Sequence, residues 1–186
     1  MPLMLPGLGP TALAETYGKA GDWIIDGDGA GSCLLTRTIG EARFAFATAR
    51  DDETSTGYWA LMFNVPEFSS MPLQRAYQAD LAILGTSWTE ATDASVEDAS
   101  GYPFLFIRIL SGGFERAFRE GSEFTVTSKI GSYRIPLDRS ATGQDIFLAC
   151  MVDPANGATI KGKPARSRQG GFANIVELQR RYAAPG

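Results

Sequence analysis

From residue 22 to about residue 137, apolar side chains fall mostly on every second position. An extended strand sends successive side chains to opposite faces, so a two-residue period predicts half-buried β-strands rather than amphipathic helices. Trp23-Ile24-Ile25 is a short apolar run, and Cys33 to Ile39 is strand-like. Phe44, Phe46 and Thr48 alternate with Ala45 and Ala47, and Trp59, Leu61, Phe63 and Val65 alternate with Tyr58, Ala60 and Met62. Tyr77, Ala79, Leu81 and Ile83 alternate with Gln78, Asp80 and Ala82. Phe104 to Leu110 is almost wholly apolar, which predicts a central strand. Two further strands, Phe124 to Thr127 and Tyr133 to Leu137, are joined by a turn at Gly131. Pro136 has no N–H to give a neighbour, so its strand lies at an edge or ends there.

Two segments break this pattern. Phe114 and Phe118 stand four apart between Gly112-Gly113 and Gly121, which predicts one short helical face with a glycine stop. Glu115, Arg116, Arg119 and Glu120 then form its charged outer side. Ser140 to about Met151 favours a second helix over a buried strand, with Ser140 or Thr142 as its cap and Pro154 beyond its end. The expected fold is mainly β: a single β-sandwich or open-barrel domain with one to three short helices. Residues 15–152 form this domain. Residues 1–14 are a separate apolar segment, and residues 153–186 are a basic linker and tail with a short C-terminal helix.

The tail holds Lys161, Lys163, Arg166, Arg168, Arg180 and Arg181 against Asp153 and Glu177, although the whole chain carries a net charge of −4. An acidic body with a basic tail argues against broad nucleic-acid binding. Asn174 and Glu177 have capping-box spacing, and Phe172, Ile175, Val176 and Tyr182 line one side of a short helix. Such a helix is marginal alone in water and is expected to dock, on its own domain or on another protein. An anionic membrane surface is a further possible contact for the basic tail.

Chemistry is constrained by one absence, for the chain has no histidine. That removes the usual general base, the Ser-His-Asp and Cys-His arrangements and the commonest metal ligand. Asp26-Gly27-Asp28-Gly29 opens like a calcium loop, but Ala30 and Arg37 stand where ligands are needed, so a hairpin turn is the expected reading. Asp51-Asp52-Glu53 reads as a solvated turn between strands. Gly27 to Gly31 lacks the Gly-Lys-Ser/Thr end of a phosphate loop. No catalytic, cofactor-binding or metal-binding residue is assigned, and no cofactor is expected.

Residues 1–14 carry no charged side chain and end in Ala12-Leu13-Ala14 before Glu15, a small-x-small pattern like the back half of a secretory signal. Export to the periplasm or outside the cell is therefore expected, with a cytoplasmic location as the alternative. Cys33 and Cys150 are the two cysteines. In an exported protein the simplest reading is a disulfide; in a cytosolic one, two buried thiols.

The layout resembles the invasion-associated locus B-like exported proteins of alphaproteobacteria and related domains of unknown function. The matching pieces are Gly21-Asp22-Trp23, the Cys33 strand, Phe104-Leu105-Phe106-Ile107, the Phe114 to Glu120 helix before Gly121, Glu123 to Val126, and Tyr133 to Leu137 leading into Ser140 to Cys150. The resemblance implies a periplasmic or cell-surface β-rich domain, with no catalytic residues to carry over. The expected function is accordingly non-enzymatic: protein–protein interaction, or an accessory or structural role in an envelope or membrane-associated assembly. The N-terminal arm and basic tail would make the contacts. One alternative is a binder of small apolar ligands with an interior lined by Phe44, Phe46, Trp59, Phe63, Phe104 and Phe106. A second is a carboxylate-dependent hydrolase using loop acids such as Asp26 and Asp52.

Overall fold

The computed structural model describes residues 15–27, 32–50, 54, 56–65, 72, 76–98, 103–129 and 131–153. Ten strands are joined into one antiparallel sheet: β1 (Glu15–Ala20), β2 (Trp23–Gly27), β3 (Cys33–Ile39), β4 (Ala42–Arg50), β5 (Gly57–Asn64), β6 (Ala76–Leu84), β7 (Thr89–Asp98), β8 (Pro103–Ile109), β9 (Glu123–Ser128) and β10 (Gly131–Pro136). Helix α1 (Phe114–Glu120) lies between β8 and β9, and α2 (Ser140–Val152) follows β10. The strand order is β1-β2-β3-β4-β5-β8-β7-β6-β9-β10.

The expected mainly β fold is observed, and the sheet rolls without closing into a barrel. β1 and β10 are its two edges, each paired on one side only. Pro136 is the last residue of edge strand β10, where its missing donor costs no ladder bond. Side chains show how far the sheet curls. The rings of Phe63 on β5 and Tyr133 on β10 meet at 4.8 Å between centroids, and Phe46 on β4 meets Phe124 on β9 at 6.0 Å.

Strand parity fills the interior. Across β4, β5 and β8, Phe46 pairs with Leu61, which pairs with Ile107; Phe44 pairs with Phe63, which pairs with Leu105. These side chains belong to the main core, together with Tyr77, Leu81 and Ile83 of β6 and Phe124 and Val126 of β9. Both helices drop rings into the same space. Phe118 lies 5.0 Å from Phe46, Phe114 lies 5.5 Å from Trp59, and Phe147 lies 5.3 Å from Trp59. The second apolar segment is thus a helix, as favoured.

Neither proposed serine or threonine caps α2. Its N-cap is Arg139 in the left-handed region (φ 58°), with no side-chain capping bond. Ser140 instead donates its hydroxyl to the Phe118 carbonyl at 2.6 Å and fastens α2 to α1. A buried hydroxyl needs a partner, and the last turn of α1 supplies a carbonyl with no partner inside its own helix. Gly121 does end α1, but at φ −79° it is extended rather than left-handed.

The edges of the sheet approach each other near Arg37 on β3. This buried guanidinium binds Asp22 at 3.3 Å and Asp138 at 2.8 Å, and donates to the Pro136 carbonyl at 2.8 Å. It also lies 5.3 Å from the Trp23 ring centroid, and Trp23 Nε1 donates to the Asp138 carbonyl at 3.0 Å. Side chains, rather than a backbone ladder, close the gap between β2–β3 and the end of β10. The Cys33–Cys150 disulfide, with Cα atoms 6.3 Å apart, ties α2 to β3 across the same region.

Candidate functional site

Of the loop acids singled out in the sequence, only Asp26 lies among the described residues. Asp26 lies at the end of β2, while Asp28 and Gly29 and the whole of Asp51-Asp52-Glu53 lie outside the described residues. The N-terminal arm and the tail from Pro154 onward also lie outside them. On α1, Glu115 accepts from the Trp59 indole N–H at 3.0 Å, and Arg116 pairs with Glu120 at 3.0 Å. Arg119 pairs with Asp145 on α2, which holds the Asp145 carboxyl below the usual carboxylate range and pushes the guanidinium higher still. Asp153 accepts from the Tyr17 hydroxyl at 2.8 Å and so raises the phenol above its ordinary value. Among the described residues, no group of three or more carboxylate, thiol or imidazole side chains is placed to hold a metal.

A shallow depression on β6, β7 and β9 is lined in part by Asp80, Thr89, Glu90, Thr125 and Thr127. Glu90 is already engaged there, because its carboxylate accepts the backbone N–H groups of Leu110 and Ser111. The depression thus offers short hydroxyls and one free-standing acid, Asp80, without a nucleophile–base pair.

The feature that stands out is the opposite face of the sheet. The residues alternating with the core on β3, β4, β5 and β8 are themselves apolar and buried: Leu34, Ala45, Ala47, Tyr58, Ala60, Met62, Phe104 and Phe106 form a second cluster. Register places them in rows. Ala47 faces Ala60, Ala45 faces Met62, and Met62 faces Phe106. Alanines thus make a low floor between larger side chains. Arg108 lies over the Tyr58 ring at 5.1 Å from its centroid. Toward β7 the face turns polar, with Ser95 opposite Phe106 and Glu97 opposite Phe104.

Phe104 and Phe106 are therefore not part of one interior with Phe44, Phe46, Trp59 and Phe63. The four belong to the core and the two to the outer face, because Leu105 and Ile107 hold the inward parity of β8. Sequence reasoning missed this surface. Its signal was present in strands apolar at both parities, a pattern that calls for cover on both faces.

No protein-family model matches the chain, and no curated protein matches it. Among solved structures, the crystal structure of invasion associated protein B from Bartonella henselae is similar at 13% identity and a TM-score of 0.48, over 76% of this chain and 100% of that one. It is a weak resemblance. The disulfide suits an oxidising compartment. Among the described residues no helix is long and apolar enough to cross a membrane.

Proposed function

We propose that this chain is an exported, non-enzymatic interaction domain, an accessory or structural subunit of an envelope or membrane-associated assembly. The observation that carries this reading is the second apolar cluster, set apart from the core on the outer face of β3, β4, β5 and β8. This second face is apolar and buried rather than solvated, so it lies under a further layer besides the two helices. The first face is supplied by α1 and α2, whose rings fill the interior. The outer face is thus the part of the body suited to receiving a macromolecular segment, with the terminal arm and basic tail as the other contacts. The Cys33–Cys150 disulfide supports placing the protein in the periplasm or outside the cell.

Affinity capture of the tagged full chain from its native cells in mild detergent tests the proposal. A stoichiometric protein partner is expected, and its retention should weaken when Ala60→Arg places a charge in the alanine floor. A chain recovered alone and monomeric, with a measurable turnover of any substrate, overturns the reading.

A further inference from the structure

The two edges of the sheet differ. β1 is broken by the irregularity between Thr16 and Gly18, and α2 is fastened beside it through Tyr17 and Asp153 at 2.8 Å. β10 is regular from Gly131 to Pro136. In an antiparallel pair, residues that exchange bonds with the neighbouring strand alternate with residues whose N–H and C=O point away from it. Leu137 donates to the Ser122 carbonyl at 2.9 Å, in phase with the β9–β10 register, so Ile135, Tyr133 and Gly131 are the residues bonded to β9. Ser132, Arg134 and Pro136 therefore direct their backbone groups to the open side. The Pro136 carbonyl agrees with this phase, because it accepts from Arg37 at 2.8 Å.

Pro136 has no donor and its carbonyl is occupied, so an added strand stops at that end. Ser132 and Arg134 remain, both exposed. Among the described residues, neither meets a backbone partner on the open side. Unpaired backbone along a regular edge is a template for an extended segment. Charge narrows which segment fits. The Arg134 side chain is 74% exposed, and its nearest acid, Glu123 on β9, stands 3.8 Å away, beyond hydrogen-bond reach. Lys129, exposed just past the end of β9, adds a second positive charge nearby. Between Ser132 and Arg134, the half-buried Tyr133 takes the inward parity.

We propose that β10 receives an extended segment of a protein partner, carrying an acidic side chain, as an added antiparallel strand. An Asp or Glu of the segment stands opposite Arg134, a small polar residue opposite Ser132, and an apolar residue between them beside Tyr133. A second copy of this chain suits the edge less well. Pairing two β10 strands so that Ser132 and Arg134 of both are used sets the two Arg134 side chains diagonally across, about 7–8 Å apart, where like charges repel. The proposal rests on the reading of the chain as an interaction domain, and gives that domain a contact separate from the outer face.

Amide hydrogen exchange of the purified full chain, read by NMR with a synthetic Thr-Val-Glu-Val-Thr-Val peptide, tests this. Near saturation the Ser132 and Arg134 amides should exchange about tenfold more slowly, while Ser87, exposed between β6 and β7, keeps its rate. Lys in place of the peptide's Glu should abolish the slowing, and Arg134→Glu should reverse the preference between the two peptides. Slowing by neither peptide, or equal slowing by both, overturns the proposal. Slow exchange of both amides before any peptide is added overturns it as well. Such protection would assign the edge to the chain itself if it survives dilution, and to a second copy if it fades. No native partner takes part in the peptide experiment, so its failure leaves the functional reading to the capture experiment.

Discussion

Gly121 shows how one residue can be read correctly and for the wrong reason. A glycine after Phe114–Glu120 predicts a left-handed helix stop, and the helix does stop there, but the backbone is extended. What glycine provides is space. A Cβ at this position would lie 2.1 Å from Ile83 Cγ2 on β6 and 2.8 Å from the Ala117 carbonyl oxygen. Gly121→Ala should therefore lose about 1–3 kcal/mol, the usual cost of overpacking a filled site, seen as a lower urea midpoint with an unchanged slope. That constraint comes from β6, far away in sequence, so no local pattern around Gly121 could reveal it. The same holds for Ser140, whose hydroxyl serves Phe118 rather than its own helix.

At the scale of elements, α2 is held by three attachments of different chemistry. Tyr17, at the irregularity between Thr16 and Gly18 in β1, reaches Asp153; Arg119 of α1 reaches Asp145; and Cys150 bonds to Cys33. The disulfide closes a separation of 117 residues, so Cys33→Ser with Cys150→Ser should cost about 2–5 kcal/mol, measured as a fall in denaturation midpoint against the oxidised protein. The Asp145 carboxyl, depressed by its hydrogen bond to Arg119, makes a contribution that is full above the ordinary carboxylate pKa. It is lost as pH falls through the lower folded value. Thermal melts of the native chain and Asp145→Asn should thus differ slightly at neutral pH and converge in acid, the difference being small because the pair is solvated. The strands themselves vary in how legible they are. β4, β5 and β6 announce themselves by alternation, whereas β7 (Thr89–Asp98) has only Ala94 and Val96 as buried apolar residues and leaves almost no period to detect. β8 is evident as a strand, but its two apolar faces hide which side is which.

Over the whole molecule, the rolled sheet depends on side chains to hold its free edges in register. Arg37 gathers Asp22 from the β1–β2 turn and Pro136 and Asp138 from the end of β10. Arg37→Ala should cost about 2–4 kcal/mol through lost packing and the abandoned carbonyl, and should alter the near-ultraviolet signal of Trp23 beneath it. Denaturant titration followed by tryptophan fluorescence and circular dichroism checks both. The overall class was legible because alternation is a local property. The closure, the burial of both faces and the candidate surface were not, because each depends on which strands become neighbours.

The strand order itself carries a cost in time. β5 acquires its second neighbour, β8, only after 38 intervening residues have been made. At about 5–20 residues per second during synthesis, that leaves one edge of β5 unpaired for roughly 2–8 s. The exposed edge belongs to Tyr-Trp-Ala-Leu-Met-Phe, an uncharged stretch with no proline and the composition of an aggregating segment. The nascent chain is therefore most in need of a chaperone in the interval between β5 and β8, before its own strand arrives to occupy that edge.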